Sequence, residues 1–132
     1  MTANANPPTP ADLLVDALDG LATNLEGRIN ALPPGSPERT QLKQAQTDLR
    51  NAAADIDADA LITAITNNAD LQKLKDATKD INTTAGQINQ SAAAVAKVGG
   101  IASAAVALGN AISGGTVGVI IGAVNDLLTA AA

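Results

Sequence analysis

The sequence predicts an all-α fold, and three observations carry that prediction. Alanine, the strongest helix former, supplies 29 of the 132 residues, while Phe, Tyr and Trp are absent. Apolar residues recur at three-, four- and seven-residue spacings through most of the chain, the period of one helix face. Residues that cap helices, Thr9, Ser36 and Asn67 among them, stand where the periodic segments begin. The predicted form is an elongated helical bundle or hairpin with a long coiled-coil-like central helix and a Gly/Ala-rich apolar C-terminal segment. At this length one domain is the expectation, in three regions: a flexible N-terminal arm at 1–9, an acidic amphipathic helical region at 10–97, and an apolar glycine-zipper segment at 98–132. With so much alanine the core has to be thin, built from backbones packed close rather than from large interdigitating side chains.

Taken in order, Thr9-Pro10-Ala11-Asp12 is a helix start: Thr9 caps, Pro10 suits the first helical position, and Asp12 complements the helix dipole. Leu14, Leu18, Leu21, Leu25 and Leu32 then give one apolar stripe, so a helix is expected over 10–32, stopped by Pro33-Pro34-Gly35. Ser36-Pro37-Glu38 restarts the chain with the same chemistry, and Leu42, Ala45, Leu49, Ala52 and Ile56 mark a second helix over 37–56. The short link predicts an antiparallel pair.

Charge interrupts the seam at Asp55, Asp57 and Asp59, where a bend is expected, followed by a short helix over 59–67. These three aspartates sit at the spacing that opens an EF-hand loop. Ala60 stands where that loop requires glycine and Thr66 where it requires glutamate, so a solvated bend is the reading. From Leu71 a heptad runs through Leu74, Thr78, Ile81, Ala85, Ile88, Ala92, Val95, Gly99, Ala102 and Val106, predicting one long helix over 69–108 as the spine. A last helix is expected over 116–130.

The stretch from Val98 to Asn125 holds 28 residues without a charge, between Lys97 and Asp126, and seven of the eleven glycines. Such a stretch has to be covered by its own chain, by another subunit or by lipid. Gly114, Gly118 and Gly122 form GxxxGxxxG, and Ser103, Ala107 and Ala111 continue the small-residue spacing upstream; on one helix face these six would let another helix approach closely. The same spacing also fits close packing of the last helix inside a monomeric bundle. In either case Gly118→Leu is expected to harm the contact more than Val119→Leu. The chain either turns at Gly109-Asn110 or Ser113-Gly114-Gly115, or runs straight on. Straight, 28 residues extend about 42 Å and cross a hydrocarbon layer of about 30 Å. A hairpin favours a soluble or shallow location. Eight Ile, Leu and Val residues between Ile101 and Ile121 contribute roughly −2.4 to −4.8 kcal/mol to insertion, before Asn110, the serines, Thr116 and the glycines subtract from it. Insertion of a lone helix is therefore marginal, and an oligomer or a trigger is expected. The run Thr116–Ile121 is rich in β-branched residues and prone to pair edge to edge if exposed.

A net charge of −5 with no basic stripe argues against nucleic acid and against simple adsorption to anionic lipid. The chain has no His, Cys or Tyr, no visible nucleophile–base pair, no Walker loop and no dinucleotide fingerprint. The sequence thus reads as a non-enzyme without cofactor, metal or small-molecule substrate. No secretory signal is evident at the N-terminus, so the expected location is cytoplasmic, or outside the cell by a route that uses no such signal, in contact with a membrane. An acidic helical region followed by a Gly/Ala-rich apolar segment resembles the general layout of α-helical pore-forming and membrane-ejected proteins. The expected function is that of a membrane-active, self-assembling protein whose partners are further copies of itself and a lipid bilayer. The alternative is a soluble structural or assembly subunit of a filament, shell or scaffold, or a small helical bundle that hides the segment internally.

Overall fold

The capping residues read from the sequence do start the helices. Thr9 and Asp12 form a full capping box, the Asp12 N–H donating to Thr9 Oγ1 and the Thr9 N–H to Asp12 Oδ2. Ser36 accepts from the Arg39 N–H, Asp57 from Ala60 and Asn67 from Asp70. In the computed structural model, which describes residues 8–132, these caps open α1 (Pro10–Ala31), α2 (Pro37–Asp55), α3 (Ala58–Ala64) and α4 (Asn68–Gln87). Two more helices follow, α5 (Ala92–Gly114) and α6 (Val117–Ala131), and there is no strand among the described residues. Most of the flexible arm expected at 1–9 lies outside the described residues; only Pro8 and Thr9 fall within them.

The long spine over 69–108 does not form. The chain turns at Ile88-Asn89-Gln90 and restarts at Ser91, whose hydroxyl accepts from the Ala94 N–H. The heptad holds through α4 and its C-cap, where Leu74, Thr78, Ile81, Ala85 and Ile88 are buried. Beyond the turn the heptad no longer marks the buried face: Ala92 and Gly99 face outward, Val95 and Val106 are half-buried and only Ala102 keeps its place, while Ala94, Val98, Ile101, Ala105, Leu108 and Ile112 face inward. The reason is tertiary. A continuous helix would carry the Gly/Ala half away from every partner, whereas one turn at a Ser cap folds Val98, Ile101, Leu108 and Ile112 back onto the core.

Helix directions follow from the contacts. Helices α1 and α2 run antiparallel, with Arg28 on Glu38 and Gln46 on Ala22. Helix α4 runs parallel to α1: Asn24 reaches Ala85, and Leu13 lies beside Lys75 and Thr78. Helix α5 runs parallel to α2, since Val95 faces Pro37 to Leu42 and Gly109 faces Asp55. Helix α6 returns antiparallel to α5, bringing Ala130 beside Gly100. The five long helices pack in the order α1, α2, α5, α6, α4 and back to α1, closing a ring. The short α3 packs on α1 and α6 and carries the chain across the end where α5 turns into α6.

The ring is filled by a single apolar cluster. Its largest members are Leu14, Leu18, Leu21, Leu25 and Ile29 from α1, with Leu49, Leu61, Leu74, Ile81, Ile88, Ile101 and Leu108 from the others. Nearly half of the buried apolar residues are alanine, so the core is as thin as the composition predicts. The 97/98 boundary between acidic and apolar regions falls inside α5, and both sides of it share this one core.

Candidate functional site

The uncharged stretch forms a helical hairpin. Helix α5 ends at Gly114, and Gly115 takes the left-handed conformation, φ +75°, which suits glycine. Its N–H donates to the carbonyls of Ala111 and Ile112, closing the last turn of the helix. The chain then reverses into α6. Of the two geometries open in the sequence, the turn is the one adopted, six residues beyond Gly109.

That turn splits the glycine zipper. Gly114 belongs to the end of α5, whereas Gly118 and Gly122 belong to α6, so the three do not share one helix face. All three are exposed, and a Cβ added at any of them would meet nothing within 4 Å. Ser103 and Ala107 are exposed too, and only Ala111 of the six small residues is buried. The expectation that Gly114, Gly118 and Gly122 pack one face against a neighbour inside the bundle is thus corrected. Close approach inside the fold occurs at other glycines. At Gly109 an added Cβ would lie 3.4 Å from Asp55 Cβ and 3.9 Å from Ile56 Cγ1; at Gly100 it would lie 3.6 Å from Ala130 Cβ. The sequence offered Gly109 as a turn and gave no sign of its packing role, because the partner residues come from α2.

Between Lys97 and the exposed Asp126, what the hairpin shows to solvent is low and uncharged. Along α5 the exposed positions are Ala92, Ala93, Ala96, Gly99, Gly100, Ser103, Ala107, Asn110, Ser113 and Gly114. Beside them a shallow groove of about 520 Å³ runs between α2 and α5, floored by Ala45 and Ala102 and edged by Gln41, Gln44 and Ser103. At the start of α6, Val117 and Val119 are 50% and 57% exposed; with Leu13 they are the large apolar residues left uncovered among the described residues. Thr116 has the extended backbone of a cap, but its side chain makes no capping hydrogen bond, unlike the residues that open the other five helices.

Helix α5 is long and apolar enough to cross a membrane, and only 39% of its most apolar window is buried in the bundle. Its 23 residues extend about 35 Å. Lys97 lies near its start, placed to reach an aqueous interface along its own methylenes. Helix α6, with 15 residues and a length of about 22 Å, is too short to span alone.

Polar fastening is confined to the other side of the ring. Arg28 Nε and Nη2 both donate to Glu38 Oε2, at 3.1 and 2.9 Å, and Arg39 Nε donates to the Ile29 carbonyl. The half-turn of α2 around buried Gln46 is tied to α1 twice, Gln46 Nε2 donating to the Ala22 carbonyl at 2.8 Å and to Glu26 Oε1 at 3.0 Å. Asn24 Nδ2 donates to the Ala85 carbonyl at 2.9 Å, joining α1 to α4. Among the described residues, no side-chain hydrogen bond or salt bridge joins α5 or α6 to another helix. Asp57, one of the three spaced aspartates, is engaged as the α3 cap, and no group of metal-ligating side chains is assembled among the described residues.

No family model, curated protein or solved structure matches the chain.

Proposed function

We propose that this protein is membrane-active: a helical bundle in water whose apolar α5 enters a bilayer, where copies associate through their small-residue surfaces. The observation that supports this most directly is the position of α5. It is long and apolar enough to span, and as one stave of the ring it buries only one face, with Ala, Gly, Ser and Asn on the face it turns to water. No charge between Lys97 and Asp126 has to be dehydrated when it enters lipid. Small side chains are also what lets helices approach closely enough to associate there, through dispersion contacts and weak Cα–H hydrogen bonds. In this reading Ser103, Ala107, Gly114, Gly118 and Gly122, exposed in the bundle, meet a second copy rather than the protein's own helices. The protein is then no enzyme, and takes no cofactor, nucleic acid or small-molecule substrate.

Flotation with phosphatidylcholine vesicles tests the reading. The protein is expected to rise with the vesicles and to cross-link as dimers and higher species there, while remaining monomeric in lipid-free buffer. Protein that stays wholly at the bottom of the gradient at several pH values and lipid charges overturns it. A second reading, a lipid-free assembly subunit, draws on the uncovered Val117 and Val119 beside Gly114 and Gly118. Large homogeneous particles sedimenting without lipid would select that reading instead.

A further inference from the structure

We infer that a bilayer opens this fold along one side, releasing α5 and α6 from α2, α3 and α4 as a ready-made hairpin while the polar-tied side of the ring stays shut. This rests on the membrane-active reading above and says how the bundle becomes the inserted form.

The inference follows from what holds each interface. Apolar packing stabilises a bundle because water is the alternative; against hydrocarbon tails, which are as apolar as leucine, that driving force vanishes. Hydrogen bonds do not weaken in this way, since a polar group parted from its partner in a water-poor setting keeps the whole desolvation cost. The α2–α5 and α4–α6 contacts, and the smaller α4–α5 and α3–α6 ones, belong to the first kind, with no side-chain hydrogen bond or ion pair across them. The α1–α2 and α1–α4 contacts carry Gln46 on Ala22 and Glu26, Arg28 on Glu38, Arg39 on Ile29 and Asn24 on Ala85. A membrane therefore dissolves one set and leaves the other.

Two details indicate that the hairpin leaves as a pair. Gly115 fixes the reversal locally, with its N–H bonded within α5, so the turn needs no support from the rest of the ring. Gly100 lets α6 close onto α5 at the far end, 3.6 Å from Ala130 Cβ, so the two helices are in contact over most of their length. The Ile88–Ser91 turn, outside both α4 and α5, is where the chain can swing.

The same close approaches supply the test, because the chain has no cysteine of its own. The Cβ separations at Gly100/Ala130 and Asp55/Gly109, 3.6 and 3.4 Å, lie within and just under the range of about 3.5–4.5 Å that disulfides span, so a shift of about a tenth of an ångström suffices for the second. Asp55→Cys/Gly109→Cys locks α5 to α2; Gly100→Cys/Ala130→Cys staples the hairpin to itself. Each variant is floated with phosphatidylcholine vesicles oxidised and reduced, its helicity checked by circular dichroism in both states and bond formation by loss of free thiol. The expected result is that the oxidised α2–α5 lock stays at the level of vesicle-free protein and floats once reduced, while the oxidised hairpin staple floats like the unmodified protein. An oxidised α2–α5 lock that floats undiminished overturns the release. A staple that floats only when reduced overturns the ready-made hairpin and leaves α5 entering alone. If the unmodified protein does not float, the membrane-active reading falls and the release with it, an outcome distinct from either variant failing while the unmodified protein binds.

Discussion

Helix α2 has two neighbours, and it meets them by different means. Toward α1 it offers Glu38 to Arg28, Arg39 to the Ile29 carbonyl and Gln46 to Ala22 and Glu26; toward α5 it offers Ala45 and the Asp55 Cβ, against Ala102 and Gly109. The first interface has its register pinned by directional bonds. In the second, shape alone sets the register, with a glycine opposite a Cβ and an alanine opposite an alanine. Both are adequate in water, where the hydrophobic effect acts on both. The difference teaches that stability and specificity are distributed separately in this ring, and that a change of solvent would act on its two sides unequally.

The largest expected effect comes from filling the gap that shape leaves. Gly109→Leu places a branched side chain where a lone Cβ already touches Asp55 and Ile56, and overpacking of this kind costs about 1–3 kcal/mol. Gly118→Leu, in open space, is expected to leave the lipid-free bundle as stable as before, or slightly more so. Urea unfolding of the two variants decides it; equal losses would mean that α5 does not approach α2 as described. The same Gly118→Leu protein, compared with Val119→Leu on vesicles, separates a self-association surface from an idle one, because the bundle itself makes no contact there.

A middle-sized effect tests the pinned side. Gln46→Ala removes both bonds to α1 and is expected to cost about 1–2 kcal/mol, each intramolecular hydrogen bond having a net worth of about 0.5–1.5 kcal/mol. Its more telling readout is on vesicles. Because the polar ties are what hold α1 and α2 together in lipid, the variant's α1–α2 amides should lose hydrogen-exchange protection when lipid-bound by more than they lose in buffer. Equal losses in the two settings would mean that the polar ties do not differ in kind from the apolar ones. The smallest effect is a gain: Gly122→Ala, exposed in mid-α6 with nothing within 4 Å, should stabilise the bundle by about 0.4–1 kcal/mol through helix propensity and a less flexible unfolded chain. A thermal midpoint that falls would show that Gly122 has a contact the fold does not display.

Much of this architecture was legible in the residues. Thr9 with Asp12, Ser36 and Asn67 announce helix starts because capping is local chemistry, and the Leu14–Leu25 stripe announces a buried face because burial follows the helical period. Ser91 has the same chemistry, but the heptad through Ile88 continues numerically into Ala92, Val95 and Gly99 and hides the start it marks. An alanine-rich segment satisfies almost any apolar register, so a phase change inside it leaves little trace. The single helix face expected for the zipper is absent for a related reason: GxxxGxxxG records spacing in the chain, whereas Gly115 at φ +75° divides that spacing between two helices. Gly109 and Gly100 were silent because close approach is a property of two helices, and the second helix cannot be seen from the first.

The missing cap at Thr116 has a consequence for how the protein ages. An uncapped first turn lets go before any other, and here it holds Val117-Gly118-Val119-Ile120-Ile121, a run whose composition suits stacked, in-register sheets. Helix fraying is reversible within microseconds, but a frayed segment that finds its counterpart on another molecule joins a fibre and does not return. The lifetime of the purified protein is then expected to depend on one turn at the tip of the hairpin more than on the free energy of the whole ring, and Thr116→Asp, which supplies the cap, is expected to slow fibre formation. A sample could pass every equilibrium test of stability and still be consumed slowly from that end.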